Sequence, residues 1–223
     1  LRAFGESAPV HVVWFSSARK LAEGFYLDGE EIFYAHDGNT EKVINVNDLY
    51  LLGRHNYENV MAATAMSVNF GVPMEKIVEV LKRFQAVEHR IEYVTEKRGV
   101  RFYNDSKGTN PDAAIQGIRA MNRPTLLIGG GYDKQSTYDE WIDPFDGKVK
   151  KLVLIGQTAE KIEVCAHKHG FMDTVRCETF EEAIRYCYDH AVSGDAVLLS
   201  PACASWGMFP NYEERGRIFK EIV

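Results

Sequence analysis

The chain has 223 residues, 45% of them hydrophobic, 26% charged and 12% aromatic, with a net charge of −6. That length holds one or two domains with real cores and excludes a peptide scaffold, and the composition excludes a disordered or collagenous chain. The acidic balance argues against general nucleic-acid binding, which needs a basic surface to displace counterions, but leaves room for a local basic pocket around a small anion. The longest apolar runs, such as Thr125 to Ile128 and Ala196 to Leu199, are strand-length and far short of the ~20 residues that span a bilayer, so no membrane association is expected. The opening Leu1-Arg2-Ala3-Phe4-Gly5 has neither an initiator Met nor a basic-then-apolar leader, which predicts a piece of a longer protein without an export address. Cys165, Cys177, Cys187 and Cys203 form no C-x-x-C pair and no zinc-like cluster with histidines, so they predict reduced thiols and a cytoplasmic location. His11, His36, His167, His169 and His190 show no metal-ligand spacing either.

The first elements are short and β-like: Val10 to Ser16, Gly24 to Leu27, Glu31 to Ala35 and Glu41 to Asn45, with Asp28-Gly29 as a tight turn, which predicts an antiparallel meander. Asn56 to Phe70 reads as a mostly buried helix ended near Gly71, with Asn56 able to cap it. Met74 to Phe84 reads as an amphipathic helix with Ile77, Val80, Leu81 and Phe84 on its apolar side. After Ala86 the period changes, and a domain boundary is placed near Val87. A strand around Ile91 to Thr95 and a second at Val100 to Tyr103 flank a turn at Gly99. Helices at Asp112 to Met121, Tyr138 to Phe145, Ala159 to His169, Phe180 to His190 and Tyr212 to Val223 then alternate with strands at Thr125 to Ile128, Leu152 to Ile155, Thr174 to Cys177 and Ala196 to Leu199. This α/β rhythm predicts a mainly parallel sheet with helices on both faces, which binds its ligand beyond the carboxyl ends of the strands.

Three clusters fall on that rim. Asn104-Asp105-Ser106-Lys107-Gly108-Thr109-Asn110-Pro111 crowds a carboxylate, an amine, hydroxyls and amides between a strand and a helix. Capping by Thr109 or Asn110 with Pro111 in the first turn accounts for one polar residue, not six, so an anion or a sugar diol is the stronger reading. Gly129-Gly130-Gly131-Tyr132-Asp133-Lys134 follows an apolar strand. G-x-x-x-x-G-K-[ST] is absent from the chain, and G-x-G-x-x-G fails because Lys134 stands at the last glycine. Close backbone approach to a ligand, with Lys134 as a point charge for a carboxylate, competes here with a plain surface turn. Ser200-Pro201-Ala202-Cys203-Ala204-Ser205-Trp206 offers small residues and a hydroxyl donor at Ser205. It lacks G-x-S-x-G, and a buried Cys203 is more expected than a nucleophile. At the domain joint, Arg90 of His89-Arg90 suits a phosphate or a surface ion pair, and Asn56 and Asn59 share a helix face where they can meet a purine edge.

Gly53-x-His55-Asn56-x-x-Asn59, His89-Arg90, the Asn104 to Pro111 string, and Ser200 to Ser205 through Phe209, Asn211 and Arg215-Gly216 together resemble the Mur ligase family of peptidoglycan synthesis. The resemblance covers nearly the whole chain, and the Ser200 to Ser205 stretch is similar to the D-glutamate-adding members in particular. It implies that residues 1–87 are the last part of a central ATPase domain whose P-loop, magnesium ligands and carbamylated lysine lie outside this chain. Residues 88–223 are then the complete Rossmann-like C-terminal domain. The implied reaction uses ATP and Mg2+ to add D-glutamate to UDP-N-acetylmuramoyl-L-alanine through an acyl phosphate, in a cytoplasmic enzyme that is monomeric at full length. By the same resemblance Lys107 is the catalytic cation, Thr109 and Lys134 hold one D-glutamate carboxylate, and Ser205 with the Tyr212 region holds the other. Asn56, Asn59, His89, Arg90 and Asp105 line the adenosine side, with Asp105 accepting from ribose hydroxyls. No residue of the chain is assigned to a metal. Gly108 replaces the alanine usual at its place, a change expected to alter little beyond backbone freedom. The alternatives are another Mur ligase, a folylpolyglutamate synthetase, or a non-catalytic nucleotide-binding or scaffold module.

Overall fold

The computed structural model describes residues 2–85, 87–145 and 147–223, and the chain divides into two compact units, Leu1–Phe84 and Gln85–Val223. In the first, α1 (Arg2–Ser7) precedes β1 (Phe15–Ser16), β2 (Gly24–Asp28), β3 (Glu31–His36) and β4 (Asn39–Asn45), followed by a 3-10 turn at Val46–Asp48 and by α2 (Arg54–Asn69) and α3 (Met74–Leu81). The strands lie in the order β1-β2-β3-β4. The meander holds for β2, β3 and β4, which pair antiparallel, but β1 runs parallel to β2 and has only two residues. The expected strand from Val10 shrinks because, among the described residues, only Phe15 and Ser16 find ladder partners. The helix α2 begins at Arg54 with Gly53 as its N-cap, and Asn56 instead donates from Nδ2 to the Leu52 carbonyl at 2.7 Å.

The second unit contains β5 (Glu92–Lys97), β6 (Val100–Asn104), α4 (Pro111–Ala120), β7 (Thr125–Gly130), α5 (Asp139–Ile142), β8 (Val149–Ile155), α6 (Ala159–Lys168), β9 (Thr174–Arg176), α7 (Phe180–His190), β10 (Ala196–Leu199) and α8 (Tyr212–Ile222). The sheet order is β5-β6-β10-β7-β8-β9, parallel throughout except for the antiparallel hairpin of β5 with β6. All of β7 and β10 is buried, as continuous apolar runs in central parallel strands require. One face packs Val100, Phe102, Ile128, Val153 and Val197 against Phe180, Ile184 and Cys187 of α7 and Phe219 of α8. Trp141 of α5 lies against the opposite face, at Gly129 and Leu152. Each fully buried aliphatic or aromatic side chain contributes roughly 1.5–3 kcal/mol. The helix expected from Tyr138 to Phe145 gives way to a 3-10 turn at Asp143–Phe145, because Pro144 has no N–H to continue an α-helix.

Candidate functional site

The chain passes from β6 to β7 across an empty lane and fills it only with β10, so the carboxyl ends of β6, β10 and β7 stand side by side. Such a reversal of strand order is where open α/β sheets form ligand crevices. The three clusters singled out from sequence leave these three strands, and backbone bonds lace them together. The Asp105 amide donates to the Leu199 carbonyl at 2.7 Å, that of Gly130 to Pro201 at 2.8 Å and that of Tyr132 to Ala204 at 3.0 Å.

A side chain not singled out from the sequence as a site residue ties two of the loops. Arg215 of α8 is 1% exposed. Its Nε donates to Ser106 Oγ at 2.9 Å, Nη2 to the Ser106 carbonyl at 2.7 Å and Nη1 to the Cys203 carbonyl at 3.1 Å. Ser106 Oγ in turn donates to the Tyr212 carbonyl at 2.7 Å. Burial pulls the guanidinium down to about 10, which still leaves it charged at neutral pH. The helix comes this close because of Gly216, where a Cβ would stand 2.3 Å from His89 Nδ1 and 2.9 Å from Asn104 Nδ2. The available sequence signal is a charge on the stripe that also carries Gly216 and Phe219, the buried side of α8.

Asp105 is 6% exposed, and both its oxygens are engaged: Oδ1 accepts from the Ile91 amide at 3.2 Å and Oδ2 from Ser200 Oγ at 2.6 Å. Burial pushes the carboxyl up to about 7, against the opposing pull of these two hydrogen bonds and of Arg90 and Arg215. The expected ribose contact therefore meets a carboxylate already used within the unit. Gly108 is also less neutral than expected, since a Cβ there would stand 2.8 Å from Asp105 Oδ2 and 3.0 Å from Ser200 Oγ. His89 is buried with a positive φ of 65°, its Nδ1 2.9 Å from Asn104 Nδ2 and its ring edge-on to Tyr212 at 5.9 Å. It packs inside the unit while its neighbour Arg90 is exposed.

Lys107 is half-buried, with Nζ 3.2 Å from the Tyr212 hydroxyl and 5.1 Å from its ring centroid. Tyr212 thus groups with Lys107. Across the rim, Lys134 is exposed with Nζ 4.9 Å over the Trp206 ring. Among the described residues neither ammonium is paired with a carboxylate, and the Ser205 hydroxyl, on a residue only 4% exposed, has no side-chain partner. Thr109 sits half-buried between Lys107 and the α4 cap Asn110, which accepts from the Ala113 amide at 2.9 Å. Asn56 and Asn59 belong to the other unit, a turn apart on α2. Cys203 is buried with Tyr138 Oη and Thr158 Oγ1 at 3.1 and 3.3 Å, and burial pushes its thiol up, which disfavours the nucleophilic thiolate.

Among the described residues potential metal ligands gather in two places, Glu88 with His89 and Glu92, and Asp139 with Cys165 and His169, the latter a grouping the sequence spacing concealed. In the first, the Lys220 ammonium already bridges Glu88 and Glu92 at 2.5 and 3.1 Å. In the second, His169 is spent on Asp139 at 2.9 Å and lies 3.5 Å from Asp143. The rim itself presents ammonium and hydroxyl groups, a donor set for anions and not for a divalent cation. Among the described residues no helix is long and apolar enough to cross a membrane.

Residues 89–203 match the model of a family described as Mur ligase, glutamate ligase domain. The chain is 56% identical over 223 residues to the UDP-N-acetylmuramoylalanine--D-glutamate ligase of Lachnospira eligens, covering 100% of this chain and 50% of that protein. The ligase of the same name from Lachnoclostridium phytofermentans is 54% identical, again over 100% of this chain and 49% of that protein. The chain spans about half the length of the curated relatives it matches. Among solved structures, the UDP-N-acetylmuramate-alanine ligase of Thermotoga maritima superposes with a TM-score of 0.60 at 15% identity, over 88% of this chain and 45% of that one. The folylpolyglutamate synthase of the same organism gives 0.54 at 22%, over 77% and 41%. At such identities the likeness is one of fold, here Rossmann-like.

Proposed function

The chain belongs to the Mur ligase family, and on that premise we propose that it is part of an ATP-dependent ligase that joins D-glutamate to UDP-N-acetylmuramoyl-L-alanine in peptidoglycan precursor synthesis. Residues 1–87 are then a portion of the central ATPase domain and residues 88–223 the C-terminal domain. The observation that carries the reading is the pair of ammonium groups, Lys107 after β6 and Lys134 after β7, which among the described residues meet no carboxylate, on a rim that also presents Thr109 and, on the β10 loop between them, the Ser205 hydroxyl.

In this reaction the UDP-N-acetylmuramoyl-L-alanine carboxylate attacks the γ-phosphoryl group of ATP, giving an acyl phosphate and ADP. The D-glutamate amine then attacks the acyl carbon, loses a proton and expels phosphate. Lys107 neutralises the charge that grows on the phosphoryl and tetrahedral oxygens in this scheme, a role supported by its half-buried ammonium, which the Tyr212 hydroxyl restrains at 3.2 Å. Thr109 with Lys134, and Ser205, anchor the two D-glutamate carboxylates, which orients the amine for attack. Tyr212 supports Lys107 in this scheme and does not anchor a carboxylate. Arg90, with an exposed guanidinium, suits a nucleotide phosphate, and Asn56 and Asn59 keep a proposed role at a purine edge. The ribose role drops away from Asp105, and His89 acts through packing. Magnesium, which serves the ATP phosphates in such ligases, does not fit this rim, and no residue here is assigned to it. Four free thiols suit a reducing cytoplasm.

The test is phosphate release by the intact protein, which should require both UDP-N-acetylmuramoyl-L-alanine and D-glutamate. Lys134→Ala should weaken D-glutamate far more than ATP, by the roughly 1.5–3 kcal/mol of a charge-assisted contact. Equal rises in both KM values would sink the Lys134 assignment, and release that ignores D-glutamate would sink the function.

A further inference from the structure

Trp206 has no part in the scheme above, yet it is a large apolar side chain 55% exposed on the rim loop directly after Ser205. Two contacts fix its ring. Tyr132 meets it edge-on with centroids 5.6 Å apart and planes at 64°, and Lys134 Nζ stands 4.9 Å over its face. The backbone bond from Tyr132 to Ala204 joins the two loops just beneath this stack. The acid beside Lys134 does not compete for its ammonium, because Asp133 pairs with Lys161 at 3.2 Å. An ammonium over an indole face is attracted by the ring quadrupole while remaining open to an anion on its far side.

We propose that Trp206 is a positioning residue of the D-glutamate site: its indole face holds the Lys134 ammonium at the rim beside Ser205, so that a substrate carboxylate meets a preplaced cation. This rests on the function proposed above. A free lysine samples many rotamers, and binding must stop that motion, whereas a lysine already resting on the indole loses less freedom. Trp206 therefore acts on affinity through Lys134, not on the bond-making step.

The experiment uses the intact protein and steady-state phosphate release, with D-glutamate and ATP varied separately. Trp206→Leu keeps apolar bulk without a π face, and Trp206→Phe keeps a weaker one. The Leu variant should raise the D-glutamate KM roughly two- to fivefold, the range of an exposed cation–π contact, with kcat and the ATP KM unchanged and the Phe variant in between. In a Lys134→Ala background the Leu substitution should add nothing further. As a readout independent of turnover, D-glutamate should change the indole emission of the protein, and Trp206→Phe should abolish that change. Additive effects of the Leu and Lys134→Ala substitutions, or a D-glutamate KM unmoved by Trp206→Leu, would overturn the proposal while leaving the ligase reading intact. Failure of any D-glutamate-dependent turnover in the unmodified protein would overturn the ligase reading instead.

Discussion

Replacing Asp105 with asparagine separates the burden of a buried charge from the hydrogen bonds that hold it. Burial raises this carboxyl from 3.8 to about 7 even though Ser200 Oγ and the Ile91 amide both donate to it. Between those two values the folded chain holds a proton that the unfolded chain has released. Stability contributed by Asp105 is thus present below 3.8 and lost as pH rises through about 7. A difference of about 3 units corresponds to about 4 kcal/mol, of which roughly 2–3 kcal/mol falls between about pH 5 and about pH 8. Asparagine keeps an acceptor for Ile91 and can donate to Ser200, so Asp105→Asn should match the parent near pH 5 and exceed it by that amount near pH 8. The measurement is urea unfolding at each pH, followed through Trp141 emission with Trp14 and Trp206 replaced by Phe. Other titrating groups cancel in the difference between the two proteins. Parallel pH profiles, or a variant that is weaker at both ends, would show that the carboxylate is solvated or compensated well enough to carry no such burden.

Arg215→Met should lower stability by roughly 2–5 kcal/mol, because it leaves Ser106 and the Cys203 carbonyl without their donor, and an unchanged urea midpoint would remove Arg215 as the tie between the loops. Gly108→Ala should cost about 1–3 kcal/mol through the contact its Cβ makes with Asp105 and Ser200, with a lowered Tm as the check. Limited proteolysis should cut first before Val87 and leave a resistant piece with the core of the six-stranded sheet; early cuts between Leu152 and Leu199 would contradict an independent core there.

The central strands were readable because burial on both faces demands uninterrupted apolar runs, as at Leu126 to Ile128 and Val197 to Leu199. The three rim clusters stood out because the apolar runs stop abruptly there, in polar, glycine-rich or small residues beyond what one cap or turn requires. What stayed hidden depends on partners distant in sequence. Nothing local marks Phe15 and Ser16 as the only part of their segment to find a ladder, nor shows α1 at Arg2–Ser7. Arg215 looks like one more surface charge of an acidic and basic helix until α8 is docked against Ser106, more than a hundred residues earlier in the chain. Asp105 was noticed for its charge, but the direction it faces is decided by Ser200 and the Ile91 amide. Pro144 is the opposite case: the helix expected from Tyr138 to Phe145 ran through it, although its missing N–H was visible in the sequence and ends the α-helix at Ile142.

The insertion of β10 between β6 and β7 also sets an order of events as the chain emerges. Until Ala196–Leu199 arrives, β6 and β7 each keep an unsatisfied edge, and neither can close on the other, because the lane between them belongs to a strand not yet made. The pairing joins residues nearly a hundred positions apart, the kind of distant contact that slows folding and leaves strand edges open to other chains. A nascent chain halted before Ala196 would therefore carry two sticky edges and no crevice. Holding β5 through β9 soluble until the last strand slots in is a task for which a cell would recruit a chaperone, and stop codons placed on either side of β10 should divide aggregating products from soluble ones.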